Sequence, residues 1–152
     1  MSESGASDAA GSAWRSIMQL AGFGAGRKPR VPTVGQQFGL SPKQLVLIWR
    51  LSPGATMSMR EIGERLSCDA SFVTGMVDRL EDDGLLERRA DPGDRRVTLI
   101  ALTDKGVALR AEALEALYEP PPEFAALDED ELEQLSELLQ KALATTEAPS
   151  PA

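Results

Sequence analysis

The middle of the chain carries a series of helix-start signals that few folds satisfy. SPKQLVLIWRL (41–51) and SMREIGERL (58–66) each begin with a serine at the N-cap position, and each closes a capping box with Gln or Glu three residues later. DASFVTGMVDRLEDDG (69–84) follows, with an aspartate suited to the N-cap and a glycine suited to stopping the helix. The sequence therefore predicts three short helices in close succession.

A β-hairpin is expected after the third helix. LLERR and RRVTLIAL are short and rich in strand-forming residues, and ADPGD between them supplies the residues of a tight turn. Three helices and then a hairpin is the order of elements in a winged helix-turn-helix. We predict a mainly α fold with a small β-hairpin wing, in which residues 69–83 form the recognition helix.

Charge is distributed unevenly along the chain. The net charge of the 152 residues is -8, but residues 107–152 hold 11 of the 24 acidic side chains and only two of the 16 basic ones. Because the charges are segregated, the acidic total does not exclude a polyanionic partner. Four arginines flank the hairpin turn, where a wing would contact DNA phosphates or the minor groove: Arg88, Arg89, Arg95 and Arg96.

The chain has no histidine and a single cysteine, Cys68. It therefore lacks the usual general base, the commonest metal ligand and a partner for an internal disulfide. GFGAG (22–26) follows no strand and lacks the spacing of a phosphate-binding loop. We expect no catalytic site, no metal and no cofactor. Without a membrane-length apolar run or a signal peptide, we expect a cytoplasmic protein with no membrane partner.

The recognition helix has two unlike faces on a helical wheel. The apolar face, expected to pack inward, consists of Phe72, Val73, Met76, Val77 and Leu80. The outward face carries Ser71, Thr74, Gly75 and Asp78, which are unusually small for a solvated helix and suit close approach to another surface. Phe72 lies on the shoulder of the apolar face, so core packing is favoured over contact with a thymine methyl group.

The block from LSPKQLVLIWRL through MREIGERLSCDASFVTGMVDRLEDDGLLERRADPGDRRVTLIALTDKG resembles the MarR (multiple-antibiotic-resistance regulator) family of transcriptional regulators. The resemblance covers residues 40–106. VDRLEDDGLLERR fits the end of the recognition helix and the first wing strand. The family's wing pattern DxRxxxxxLT is matched by Asp94, Arg96, Leu102 and Thr103.

The resemblance implies a homodimer with interleaved first and last helices and two displayed winged domains. Such proteins bind palindromic operators in double-stranded DNA, mostly as repressors, and a ligand or oxidant often releases them. A leucine stripe compatible with packing on a second chain comprises Leu132, Leu135, Leu138, Leu139 and Leu143. The expected organisation is a disordered N-terminus (1–12), a dimerisation helix and connector (13–39), the winged DNA-binding domain (40–103), C-terminal dimerisation helices (104–145) and a disordered tail (146–152).

The residues expected at the DNA are Ser71, Thr74, Gly75 and Arg79 on the recognition helix, Arg88, Arg89, Asp94, Arg95 and Arg96 on the wing, and Lys43 and Arg60 on the preceding helices. The alternative for the arginines is an ordinary solvated face. Asp78 would repel phosphate, so we expect it to pair with a wing arginine or with Arg79. Asp94 resembles the wing carboxylate that holds the guanidinium of Arg96.

The sequence gives weaker signals for an effector site than for the DNA contacts. Met18, Phe38 and Trp49 are candidates for lining a pocket for a small aromatic or amphipathic effector, and all three are equally good core residues. Cys68 precedes the recognition helix, where oxidation could act as a switch. A small buried filler is favoured for it, because the family's peroxide-sensing branch carries its reactive cysteine in the first helix. The basic GRKPR (26–30) is read as connector, with backbone contact as the alternative.

The sequence is also compatible with a second function. A winged helix can serve as a protein–protein interaction module that has lost DNA binding, and the net charge of -8 favours that alternative. The leading hypothesis is a DNA-binding repressor.

Overall fold

The structure is a computed structural model and describes residues 3–24 and 28–144. The chain divides into two compact units, with the boundary between Glu119 and Pro120. A short 3-10 turn spans Pro122–Ala126. The helices are α1 (Glu3–Leu20), α2 (Arg30–Gln37), α3 (Pro42–Arg50), α4 (Met59–Leu66), α5 (Ala70–Asp82), α6 (Asp104–Tyr118) and α7 (Glu129–Ala144), and the strands are β1 (Thr56–Ser58), β2 (Leu86–Ala90) and β3 (Thr98–Leu102).

The three predicted helices in the middle of the chain are confirmed together with their caps. In α3 the hydroxyl oxygen of Ser41 accepts from the backbone N–H of Gln44 at 3.3 Å, and α4 carries the same kind of capping box. Helix α4 ends at Ser67, whose left-handed backbone (φ 50°) redirects the chain into α5. This turn makes α4 and α5 the helix-turn-helix pair.

Helix α5 stops where the sequence predicts. Gly84 has φ 72°, a conformation that favours glycine, and the N–H of Leu85 donates to the carbonyl of Leu80 at 2.8 Å. The reversal feeds the chain directly into β2. The wing strand therefore begins beside the end of the recognition helix.

The predicted hairpin is confirmed, and it belongs to a three-stranded antiparallel sheet of order β1-β3-β2. Arg88 in β2 lies opposite Ile100 in β3, and Met57 in β1 lies opposite the same residue on the other side. The sequence did not predict β1, because three residues are too few to show the alternation that identifies a strand.

The core of the first unit is shared by α2 to α6 and the sheet. Its fully buried large side chains are Leu45, Leu47, Ile48, Leu51, Ile62, Leu80, Leu86, Ile100, Val73 and Val77. Helix α6 approaches the start of the wing so closely that a Cβ on Gly106 would lie 2.0 Å from the carbonyl oxygen of Leu85. Only glycine fits at this contact, because any side chain would clash with the backbone of Leu85.

The N-terminal part differs from the sequence expectation. Helix α1 begins at Glu3, whereas residues 1–12 were expected to be disordered. Alanines in this stretch have high helix propensity, which extends the expected dimerisation helix towards the N-terminus. Helix α2 lies within the expected connector. Residues 25–27 of the connector and the expected tail at 146–152 lie outside the described residues.

The second unit contains α7, the predicted leucine-striped helix. None of the residues of α7 is buried. Its first turn is closed by reciprocal hydrogen bonds between Asp128 and Glu131, each accepting from the other's backbone N–H. The helix is locally well formed, and the leucines of its stripe are half-buried or exposed.

Candidate nucleic-acid interface

The first turn of α5 is organised by the carboxylate of Asp69. It accepts from the backbone N–H of Phe72 at 2.8 Å and from the hydroxyl of Ser71 at 2.6 Å. The Ser71 hydrogen bond, followed by that of Phe72, holds the pKa of the Asp69 carboxyl below its ordinary value. The carboxylate therefore stays charged at the positive end of the helix dipole and fixes the first turn.

The outward face of α5 is as bare as the sequence predicts. Ser71, Thr74, Gly75, Asp78 and Arg79 are all exposed. A Cβ added to Gly75 would meet no atom within 4 Å. Packing within the chain therefore does not require glycine here, in contrast to Gly106. The exposed face offers room for another surface to approach the helix backbone.

The prediction that Phe72 packs in the core is wrong. Its side chain is 48% exposed, whereas the neighbouring Val73 and Met76 are buried. Side chains on a helix lean towards its N-terminus, so the ring of a residue in the first turn extends beyond the start of α5. The ammonium of Lys43 lies 5.3 Å from the ring centroid, a cation–π distance.

Lys43 connects the start of α3 to the turn before α5. Its Nζ lies 3.0 Å from the Sγ of Cys68 and 3.5 Å from the carbonyl oxygen of Leu66. Cys68 is half-buried, with its thiol donating to the same carbonyl at 3.3 Å. The exposed ammonium is thus held at the edge of the recognition helix.

Arg60 lies on the exposed side of α4. Its Nε donates to the carboxylate of Glu64 at 2.8 Å, one turn later, and this hydrogen bond raises the pKa of the guanidinium. A pair this exposed contributes little to stability. The Arg60 side chain is exposed despite this pairing.

Arg88 joins the recognition helix to the wing. Its guanidinium makes ion pairs with Asp78, at 2.5 Å, and with Glu81, and the Glu81 carboxylate also accepts from the Arg88 backbone N–H at 3.3 Å. The hydrogen bond to Asp78 raises the pKa of Arg88. The expected pairing of Asp78 with a wing arginine is confirmed. Because these ion pairs engage the Arg88 guanidinium, it is less available to a phosphate than an unpaired arginine would be.

The tip of the wing presents Arg95 and Arg96 to solvent, with Arg96 95% exposed. The carboxylate of Asp94 accepts from the backbone N–H of Arg96 at 3.0 Å and lies 3.6 Å from its Nε. Asp94 therefore fixes the backbone of Arg96 and attracts its guanidinium. Arg89, nearer the base of the wing, pairs with Glu87 on the same strand.

A separate groove of about 650 Å³ lies in the first unit, away from α5 and the wing. Of the three candidate effector-site residues, Trp49 lines this groove, whereas Met18 and Phe38 do not. Phe38 instead packs against the core. The groove walls are mostly apolar and are formed by Ala21, Phe23, Pro29, Arg30, Val31, Pro32, Pro42, Trp49, Leu117 and Tyr118.

Sequence reasoning missed Arg30. Its guanidinium donates to the carbonyl oxygens of Ala116 and Leu117 at 2.9 and 3.1 Å, and also to that of Glu119. A cation at a helix C-terminus compensates the unpaired carbonyls of the last turn. The basic GRKPR stretch was the only signal, and it was read as connector or as a DNA contact. Arg30 instead ties α2 to the end of α6.

Within residues 3–24 and 28–144, no group of His, Cys, Asp or Glu side chains is arranged to hold a metal ion. None of the described helices combines the length and the apolar character that crossing a membrane requires.

A helix-turn-helix with a bare outward face, followed by an arginine-tipped hairpin, defines a winged helix-turn-helix protein. The model of the MarR family matches residues 40–98. MhqR, an HTH-type transcriptional regulator of Bacillus subtilis, is 31% identical over 104 residues, which are 68% of this chain and 72% of that regulator. This chain belongs to the MarR family of transcriptional regulators.

Two solved structures share the fold of this chain. The crystal structure of the YusO protein from Bacillus subtilis aligns with a TM-score of 0.65 at 26% identity, covering 95% of this chain and 98% of that one. The transcriptional regulator Tm0710 from Thermotoga maritima has the same fold, with a TM-score of 0.71 at 24% identity and coverage of 92% and 95%.

Proposed function

We propose that this chain is a repressor that binds a palindromic operator in double-stranded DNA as a homodimer. The observation that carries the proposal is the pairing of two features in one rigid arrangement. The outward face of α5 is bare, and the adjoining wing ends in two exposed arginines. A helix of this shape fits a major groove, and a wing arginine fits the neighbouring minor groove.

The proposed contacts follow from where each side chain lies. The major-groove surface is formed by Ser71, Thr74, Gly75 and Arg79. The backbone and minor-groove contacts come from Lys43, Arg60, Arg89, Arg95 and Arg96, with Asp94 orienting Arg96. Arg88 takes a different role, because its guanidinium already holds Asp78 and Glu81. It sets the angle between helix and wing.

The homodimer is supported by apolar side chains near both ends of the chain. In α1, Trp14 is 61% exposed, and in α7, Leu138 and Leu143 are 59% and 67% exposed. Exposed apolar surfaces of this kind are typical of protein interfaces. Two-fold symmetry would place the two operator half-sites about 10 base pairs apart.

The apolar groove is the proposed effector site. Trp49 and Tyr118 supply aromatic surface, and among the described residues that line the groove Arg30 alone is charged. A small aromatic or amphipathic molecule matches a site with mostly apolar walls and few polar groups. Because Arg30 also ties α2 to α6, a molecule bound there would act on both helices.

The direct test is a gel-shift assay with the full chain and duplexes from its own promoter region at two salt concentrations. Binding should weaken as salt rises, because neutralising phosphates releases counterions. Thr74→Glu should abolish the shift through repulsion and steric clash, while circular dichroism shows an unchanged fold, since Thr74 is exposed. Unchanged DNA affinity of a folded Thr74→Glu chain would show that α5 does not enter the major groove.

The same gel-shift assay distinguishes the repressor from the alternative, a winged-helix module that binds only proteins. Its support is the net charge of -8. Most of that net negative charge lies outside the winged block, because residues 107–152 hold 11 acidic and only two basic side chains. A full chain that binds no duplex at low salt would favour the alternative.

A further inference from the structure

Phe72 is the one large apolar side chain of α5 that is exposed, in a helix whose residues are all described. The other apolar residues of the helix that are larger than alanine, Val73, Met76, Val77 and Leu80, are at most 6% exposed. Core packing therefore does not account for an aromatic ring at this position. The ring stands at the start of the recognition helix, where helices of this class contact base edges.

The hydroxyl groups beside Phe72 are restricted in what they can recognise. The single proton of the Ser71 hydroxyl goes to Asp69 at 2.6 Å, and that of Thr74 goes to the carbonyl of Ala70 at 2.8 Å. Each hydroxyl can then only accept a hydrogen bond. In the major groove adenine and cytosine offer amino donors, whereas thymine offers an acceptor and a methyl group. In this state neither hydroxyl can donate to the O4 acceptor of thymine.

Phe72 has the complementary property. Its ring has no donor or acceptor for a base edge, and the thymine 5-methyl group is the apolar group that the major groove presents. The ammonium of Lys43 over the ring places a positive charge beside it. Near DNA this charge would face the backbone and hold the ring at the rim of the groove.

We infer that Phe72 is a specificity-determining residue that contacts the methyl group of a thymine in each operator half-site. The inference rests on the proposed function, since it requires α5 to enter the major groove. It adds a contact with thymine that the hydroxyl groups of Ser71 and Thr74 do not supply.

The experiment begins with a duplex enriched from a random pool by the full-length chain. Each thymine is replaced in turn by deoxyuridine, symmetrically in both half-sites, which removes only the methyl group. At one position or more, the wild-type chain should lose about fourfold in affinity per methyl, equivalent to about 0.8 kcal/mol for a buried CH₂-sized group. Phe72→Ala should bind the thymine and uracil duplexes equally well at that position.

Two further variants separate this contact from other effects. Lys43→Ala should weaken binding to every duplex and still discriminate thymine from uracil. Phe72→Gln replaces the ring by a polar side chain of moderate length and should lose the discrimination, as Phe72→Ala does. Because two variants are compared, a folding defect in one of them does not decide the outcome. Any change in duplex shape caused by uracil affects all variants alike.

The possible results are distinct. A uracil penalty of equal size in wild type and Phe72→Ala, or no uracil-sensitive position in the wild type, would overturn the inference while leaving operator binding intact. A uniform loss by Phe72→Ala across all duplexes would assign the ring to holding Lys43 and would also overturn it. If the wild-type chain enriches no duplex, the proposed function fails, and this inference fails with it.

Discussion

Helices α5 and α7 are both amphipathic, yet their apolar faces have opposite environments. Val73, Val77 and Leu80 of α5 are completely or almost completely buried, whereas Leu138 and Leu143 of α7 are mostly exposed. The sequence pattern of the two helices is of the same kind. The pattern therefore identifies which face of a helix is apolar, but it does not identify what covers that face.

The difference in burial distinguishes helices whose apolar faces are covered within the chain from helices whose apolar faces are exposed. Helices α2 to α6 and the sheet share one core. Helices α1 and α7 present apolar residues that lack such cover, which is the condition expected of elements that pack on a second chain. Four changes test this contrast, and they are ordered here by the size of the expected effect.

Removal of residues 127–152 should have the largest effect. Without α7 the proposed dimer loses the leucine stripe, so we expect monomer or aggregate instead of dimer. Light scattering measures the mass directly. A truncated chain that remains a well-behaved dimer would show that α7 is not part of the interface.

Leu80→Ala should lower the free energy of unfolding by about 2–5 kcal/mol, because it opens a cavity in a fully buried site. Leu138→Ala is the matched control in α7. At concentrations where the chain is monomeric, it should change the free energy of unfolding by about 0.5 kcal/mol or less, as is usual for an exposed site. Urea denaturation measures both. Equal losses would mean that Leu138 is covered within the monomer.

Gly75→Ala should separate stability from binding. Alanine is favoured over glycine in a helix by about 1 kcal/mol, and the added Cβ has open space, so unfolding should require more urea. DNA affinity should fall by about 1–3 kcal/mol if the added methyl crowds a closely packed interface. Gly106→Ala is the opposite control and should be destabilising. Unchanged DNA affinity of Gly75→Ala would show that no surface approaches this side of α5.

Asp94→Ala should have the smallest effect, a loss of operator affinity of about 0.5–1.5 kcal/mol at about 0.15 M salt. The loss reflects the cost of ordering Arg96, which Asp94 otherwise restrains. Arg96→Lys should also weaken binding although charge is conserved, since lysine lacks the planar fork. Arg95→Ala should cost less than Arg96→Ala. Tighter binding by Asp94→Ala would show that local charge outweighs positioning.

The elements that the sequence predicted well are those defined by local chemistry. The capping boxes, the Asp69 cap, the Gly84 stop and the hairpin turn each act within a few residues, so their signals are complete in a short window. The small outward face of α5 was predictable for the same reason. It requires only the helical period and the side-chain sizes.

The features that the sequence did not predict depend on residues far apart in the chain. The groove combines Arg30, Trp49 and Tyr118, which no local pattern connects. Strand β1 exists because β3 has a free edge for it. Phe72 was assigned to the core because helical periodicity places it on the shoulder of the apolar face, whereas its exposure depends on where neighbouring helices end.

Glu81 contacts both the side chain and the backbone of Arg88, and these contacts restrain the distance between α5 and the base of the wing. If α5 and the wing enter neighbouring grooves as proposed, changing the distance between them would require breaking these contacts. The DNA must then supply the adjustment by bending or by narrowing its minor groove, at an energy that depends on base sequence. Selectivity would thereby extend to base pairs that no side chain touches.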